Sequence, residues 1–130
     1  LKHAKIYGSA VPYLTIKSTL INLKKSKSHA NKTFTPVDRS DYILTQTPQL
    51  FLFNKISTCY NKFSNNLTSK VNLKKNSYLT DDSSIYKTFK TPTDYDVSLI
   101  RGDEKNIKIT TPLDVENAKF IWNNTQKNDE

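Results

Sequence analysis

Glycine is almost missing from this chain. Its 130 residues include only Gly8 and Gly102, which stand far apart. A loop that cradles a triphosphate needs several closely spaced glycines, because only a residue without Cβ allows the tight turns and close backbone approach. This chain builds no such loop, so any phosphate chemistry in it must rest on side chains and helix ends.

One stretch brings both together. In NIKITTPLDVENA (106–118), Ile107 and Ile109 alternate about Lys108. That is the period of a strand, and it turns Lys108 away from the buried face. Thr111 is a good N-cap, Pro112 suits the first helical position, and Asp114 favours the positive end of a helix. The spacing predicts a strand running into a helix, with Lys108 at the junction. Phosphate is often held in such places. A lysine with a structural partner is the alternative reading.

Composition narrows the function classes. Net charge is +8, which invites a nucleic-acid reading. The kind of base argues against it: lysines are spread along the whole chain, and arginine occurs only at Arg39 and Arg101. Readers of bases and phosphates lean on arginine's planar fork. LKKSKSHANK and VNLKKNS read as solvated loops, and the lysine- and asparagine-rich background reads as codon bias in an A+T-rich genome. Mean hydropathy is −0.65, and no apolar run approaches the ~18 residues of a membrane span. Cys59 is the sole cysteine, so no internal disulfide forms. His3 and His29 have no Cys or acidic cluster at ligand spacing, so no metal site is expected. RGD (101–103) reads as a turn leaving a strand.

Along the chain, residues 8–15 (GSAVPYLT) form a small-residue, apolar run expected to be a buried strand. Residues 17–40 alternate weakly around a polar tip at 26–31, as an extended hairpin or arm would. TQTPQ is a loop, since Pro48 pushes Thr47 out of helical geometry. A helix is expected at about 50–63, with Leu52, Ile56, Cys59, Tyr60 and Phe63 on one face. Thr80 is placed as the cap of a second helix through Ile85 and Phe89. Residues 97–102 form a strand. A last helix, from Pro112 to about Trp122, is expected to bury Leu113, Val115, Ala118, Ile121 and Trp122. Strands alternating with helices make the chain α/β. It divides into a helix tail and core strand (1–16), the arm (17–40), a substrate-binding part (41–123) and a tail (124–130). Leu1 and the helix-like start give the chain the look of a piece cut from something longer.

VDRSDYILTQTPQLF, LTDDSS and LIRGDEKNIKITTPLDVENA, in that order, resemble the 2-C-methyl-D-erythritol 4-phosphate cytidylyltransferase family, over roughly residues 4–122. The match corresponds to the C-terminal half of the family. The resemblance implies the C-terminal part of a Rossmann-like nucleotidyltransferase domain with a projecting β-arm, working as a homodimer through that arm. It implies CTP and 2-C-methyl-D-erythritol 4-phosphate as substrates and Mg2+ as cofactor, with the metal ligands and the nucleotide loop outside this chain. No nucleic acid or membrane partner is implied. The pathway and the composition suggest a plastid or apicoplast; otherwise the location is cytoplasmic.

By the resemblance, Lys108 contacts the reacting phosphates and Arg39 grips the methylerythritol phosphate, these two being the catalytic candidates. Thr15, Thr47 and Thr80 join them as substrate-binding residues. In the family the arm threonine and the VDR arginine reach into the neighbouring subunit's site. Each has a plainer reading: a salt bridge from Arg39 to Asp38 or Asp41, a turn role for Thr47, a helix cap for Thr80. The chain departs from the family pattern at Leu14, where an acidic residue usually precedes the arm threonine, in its longer arm and insertions, and in lacking the family's N-terminal half. An isolated piece of this kind is expected not to turn over. Ribitol 5-phosphate cytidylyltransferases share QTPQ and NIKITT and are the nearest alternative. A non-catalytic remnant acting as a structural module is the other.

Overall fold

The computed structural model describes residues 1–24, 33–67 and 79–126. Helix α1 (Lys2–Tyr7) ends at Gly8, whose φ of 86° is the left-handed region that only glycine enters without strain. Strand β1 (Ser9–Thr15) follows at once. Then come β2 (Ile21–Lys24), β3 (Thr33–Pro36), a 3-10 turn at Arg39–Asp41, β4 (Ile43–Thr45), β5 (Leu50–Phe51), α2 (Phe53–Leu67), α3 (Asp82–Phe89), β6 (Leu99–Arg101) and α4 (Pro112–Gln126).

Strand β1 is the axis of a four-stranded sheet. Along one edge it pairs antiparallel with β4 at its C-terminal half and with β5 at its N-terminal half. Along the other edge it pairs parallel with β6, Val11 opposite Leu99 and Tyr13 opposite Arg101. A parallel pair needs a long crossover, which here contains α2 and α3. The chain leaves the sheet between β4 and β5, so residues 46–49 form a bulge in one edge. This is the TQTPQ loop, and its Thr47–Pro48 peptide is cis.

The start of β1 is sealed: Ser9, Ala10 and Val11 are buried. Sheet and helices meet at Tyr86 of α3, which is fully buried with Cys59 of α2 and Ile85 beside it. Phe51 stacks on Tyr86 with ring centroids 5.2 Å apart, and Phe63 meets Phe89 at 5.8 Å. The half-buried pair Lys55–Asp94, 2.5 Å apart, ties α2 to the loop that precedes β6. The lysine hydrogen bond holds the Asp94 carboxyl far below the usual carboxylate range.

Strands β2 and β3 form a separate two-stranded antiparallel sheet, as the alternation of 17–40 predicts, and its connecting turn lies outside the described residues. Leu23 faces Phe34 across this pair and both are exposed.

Four expectations are corrected. Helix α2 begins at Phe53, because Leu50–Phe51 is drawn into the sheet against β1. Its residue Tyr60 lies on the exposed side, hydrogen-bonded to Asp82. Residues 106–110 form no strand: the alternation about Lys108 exists, but nothing among the described residues pairs with it. Helix α4 starts at Pro112 as its caps predict, yet its apolar residues are not buried. Leu113 is 68% and Trp122 66% exposed and Val115 is exposed too, while Ala118 and Ile121 are half-buried.

Candidate active site

An open cleft of about 700 Å³ lies at the carboxyl ends of β1 and β6. Ligands in α/β folds bind in the crevice beyond the carboxyl ends of parallel strands, where loops diverge. Three walls meet here: the TQTPQ loop with Thr47, the entry to α3 with Thr80, and the loop from Glu104 to Lys108. Thr47, Thr80 and Lys108, three positions far apart in sequence, therefore share one cavity.

Lys108 is exposed on the cleft and makes no ion pair or hydrogen bond among the described residues, which speaks against a structural lysine. Thr80 does not cap α3. That role falls to Asp81, whose carboxylate accepts from Ser84 N at 2.9 Å while the Ser84 hydroxyl accepts from Asp81 N at 3.2 Å. The shift by one residue leaves Thr80 on the cleft. Burial alone would raise the Asp81 carboxyl, but hydrogen bonds from Gln49, Ser84 and Ser83 outweigh it and hold it below the usual range.

The second helix end behaves differently from the phosphate cradle suggested by its sequence. One oxygen of Asp114 accepts from the backbone N–H and the hydroxyl of both Thr110 and Thr111, at 2.7 to 2.9 Å. The donors of the two threonines that lead into α4 are thus taken by the helix's own carboxylate. The Thr110 amide, then the Thr111 hydroxyl and amide, hold the Asp114 carboxyl at about 2. Since its folded value lies below the ordinary 3.8, the cap is complete above that pH and is lost as pH falls through about 2. In an acid titration followed by NMR, the Thr110 and Thr111 amides are expected to move together with a midpoint near 2, and Asp114→Asn to abolish that step.

Two residues missed by sequence reasoning organise the cleft. Gln49 donates to Asp81 Oδ2 at 2.8 Å and accepts from Ser83 N at 2.9 Å, tying the loop to α3. Gln46 donates to the carbonyls of Asp103 and Asn106 at 2.8 and 2.9 Å, and Asn106 returns a bond to Thr47 O at 2.7 Å. The repeated glutamine on either side of Thr47-Pro48 was the available signal.

Arg39 and Thr15 are not brought into this cleft. Arg39 donates to the carbonyl of Lys17 at the root of the arm, and forms no salt bridge with Asp38 or Asp41. Leu14 lines the cleft, so strand alternation turns its neighbour Thr15 to the other face.

The family model described as 2-C-methyl-D-erythritol 4-phosphate cytidylyltransferase matches residues 2–124. This chain belongs to that family. A cytidylyltransferase of Clostridium beijerinckii is 32% identical over 95% of this chain and 47% of its own length, and one of Clostridium kluyveri 33% identical over 94% and 46%. Among solved structures, the cytidylyltransferase of Thermus thermophilus covers 95% of this chain and 52% of its own, with a TM-score of 0.66 at 24% identity, a likeness of fold. The 4-diphosphocytidyl-2C-methyl-D-erythritol synthase of Anaerococcus prevotii gives 0.64 at 27% identity, covering 92% of this chain and 47% of its own. The chain spans about half the length of the curated relatives it matches. Its mixed α/β fold, with a parallel pair in the sheet, matches these structures. No helix among the described residues is long and apolar enough to cross a membrane.

Proposed function

We propose that this chain is the substrate-binding, dimerising part of a cytidylyltransferase that transfers CMP from CTP to 2-C-methyl-D-erythritol 4-phosphate in non-mevalonate isoprenoid biosynthesis. The observation that carries it is the convergence of Lys108, Thr47 and Thr80 on one cleft, in a chain of this family. In the reaction a phosphate oxygen of the sugar phosphate attacks the α-phosphorus of CTP. The new P–O bond forms as the bond to the β-phosphate breaks, and pyrophosphate leaves with the electron pair. Charge grows on the α-phosphate, where an ammonium not engaged by another side chain among the described residues stabilises it. Lys108 has that role, and the hydroxyls of Thr47 and Thr80 donate to substrate oxygens.

Arg39 and Thr15 serve the partner's cleft in a homodimer. Their placement outside this chain's own cleft supports that reading, as does the exposed apolar face formed by Ile21, Leu23 and Phe34 on the β2–β3 sheet, which suits a clasping arm. Arginine's fork would grip the sugar phosphate bidentately.

Magnesium is implied by the family reading. The residues present do not fit it: Asp81 and Asp114 are consumed as helix caps, and among the described residues no three His, Cys, Asp or Glu side chains cluster at ligand distances. No step here runs through the ion. A plastid or apicoplast location is supported by composition alone, while the relatives in the comparisons are bacterial.

The test is pyrophosphate release from CTP by the upstream-extended protein, with methylerythritol phosphate and ribitol 5-phosphate offered separately. Release with methylerythritol phosphate is expected. Release with ribitol phosphate alone would move the chain to that substrate, and silence with both from a folded protein would make it a structural remnant.

A further inference from the structure

We infer that Gln46 is a positioning residue that fixes Lys108 relative to Thr47, and that Gly102 is glycine to make room for it. The inference rests on the functional reading above, since it assigns those two side chains to one substrate.

Among the described residues the two loops have no backbone hydrogen bond to one another. Gln46 N donates to Pro12 O, and Gly102 N donates to Tyr13 O. Carbonyls of successive strand residues point to opposite edges, so Gln46 and Gly102 flank β1 on opposite sides. The Gln46 side chain reaches across the end of β1 to the far loop. There its amide group uses both hydrogens, on Asp103 O and Asn106 O, and its oxygen accepts from Asp103 N at 3.2 Å. Lys108 lies two residues beyond Asn106, and Asn106 itself bonds back to Thr47 O. Residues 106–110 have no strand pairing among the described residues, so these side-chain bonds are what joins the loop bearing Lys108 directly to the loop bearing Thr47; the exposed Lys17–Glu104 ion pair ties the same loop to the arm instead.

Gly102 supplies an independent observation. A Cβ built there would lie 2.0 Å from Gln46 Oε1, well inside any contact distance, and 3.1 Å from Tyr13 O. Gly102 does not have a positive φ, so its backbone alone does not demand glycine. What demands it is the amide of Gln46 lying over it. Alanine at 102 must move the end of that side chain off its place over residue 102, which breaks the set of bonds its amide makes to the loop bearing Lys108. A displacement of about 1 Å in a positioning element is enough to cost on the order of 100-fold in rate.

The experiment compares Gln46→Ala, Gly102→Ala, the double variant and Gln46→Glu in the upstream-extended protein. Gln46→Glu keeps the shape but loses both donors and sets a charge against two carbonyls. Hydrogen exchange is read first, because it does not depend on activity. In Gln46→Ala, Gly102→Ala and the double variant the Asp103 amide is expected to lose protection while the amide of residue 102, bonded to Tyr13 O, keeps it; Gln46→Glu retains an acceptor for the Asp103 amide and is read by its kinetics. Pyrophosphate release is then expected to fall about 10- to 100-fold in kcat/KM, with the thermal midpoint nearly unchanged. The double variant should be no worse than either single one, since both remove the same clamp. Additive losses, or a Gln46→Ala protein with native exchange and native kinetics, would overturn the inference. If the parent protein releases no pyrophosphate, the functional reading fails, and the exchange pattern still decides whether the clamp exists.

Discussion

Replacing Lys108 by alanine in the upstream-extended protein is expected to lower CTP-dependent pyrophosphate release by about 10²- to 10³-fold in kcat, the usual effect of removing one group that stabilises transition-state charge. The ammonium stands exposed on the cleft and has no partner among the described residues, so its loss should hardly change stability. Activity and stability are thereby separated. Lys108→Arg keeps the charge but spreads it over a planar fork, and should recover only part of the rate. The measurement is steady-state pyrophosphate release at saturating and limiting CTP. A fall confined to KM, with kcat within about threefold of the parent, would assign Lys108 to ground-state binding alone.

Tyr86→Ala is expected to have the largest effect on stability. The side chain is fully buried where α3, Cys59 of α2 and Phe51 of β5 meet, so truncation opens a cavity between sheet and helices. Removal of a buried aromatic costs about 3–5 kcal/mol. Against a total stability of roughly 5–15 kcal/mol, that is a large share. The urea midpoint of the extended protein should drop accordingly with an unchanged slope. Tyr86→Phe separates packing from polarity. The hydroxyl has no hydrogen-bond partner among the described residues, so its removal should leave stability within about 1 kcal/mol of the parent or slightly higher. A loss as large as that of alanine would show that the hydroxyl is satisfied and structurally required.

How much of this could be read beforehand differs residue by residue. The start of α4 at Pro112 was legible, because a cap involves groups within four positions of each other: Thr110, Thr111 and Asp114. What the cap does was not. The same spacing that suggested a phosphate cradle places the Asp114 carboxylate on the amides and hydroxyls of Thr110 and Thr111, at the mouth of that cradle. Thr80 and Asp81 are both good cap residues, and the choice between them was made by Gln49, whose side chain arrives from another loop to hold the Asp81 carboxylate. Ile107 and Ile109 alternate as a strand does, yet alternation records only which side chains are apolar. A strand also needs a partner backbone, and residues 106–110 have none among the described residues.

Local chemistry in the sequence determined the helix starts at Asp81–Asp82 and Pro112 to within a residue, the buried run at Ser9–Val11, the alternating arm and the candidate Lys108, while Thr47 and Thr80 became candidates through the family resemblance. Tertiary structure alone decided that these three share a cleft while Arg39 and Thr15 stand outside it. It also decided that Gln46 and Gly102, far apart in sequence, require one another. The reason is geometric. One strand offers hydrogen bonds on two edges, and β1 uses both, so β4 and β6 bring distant loops to the same end of the sheet. Residue spacing does not encode which distant loops will meet there; the pairing of β1 with its neighbours does.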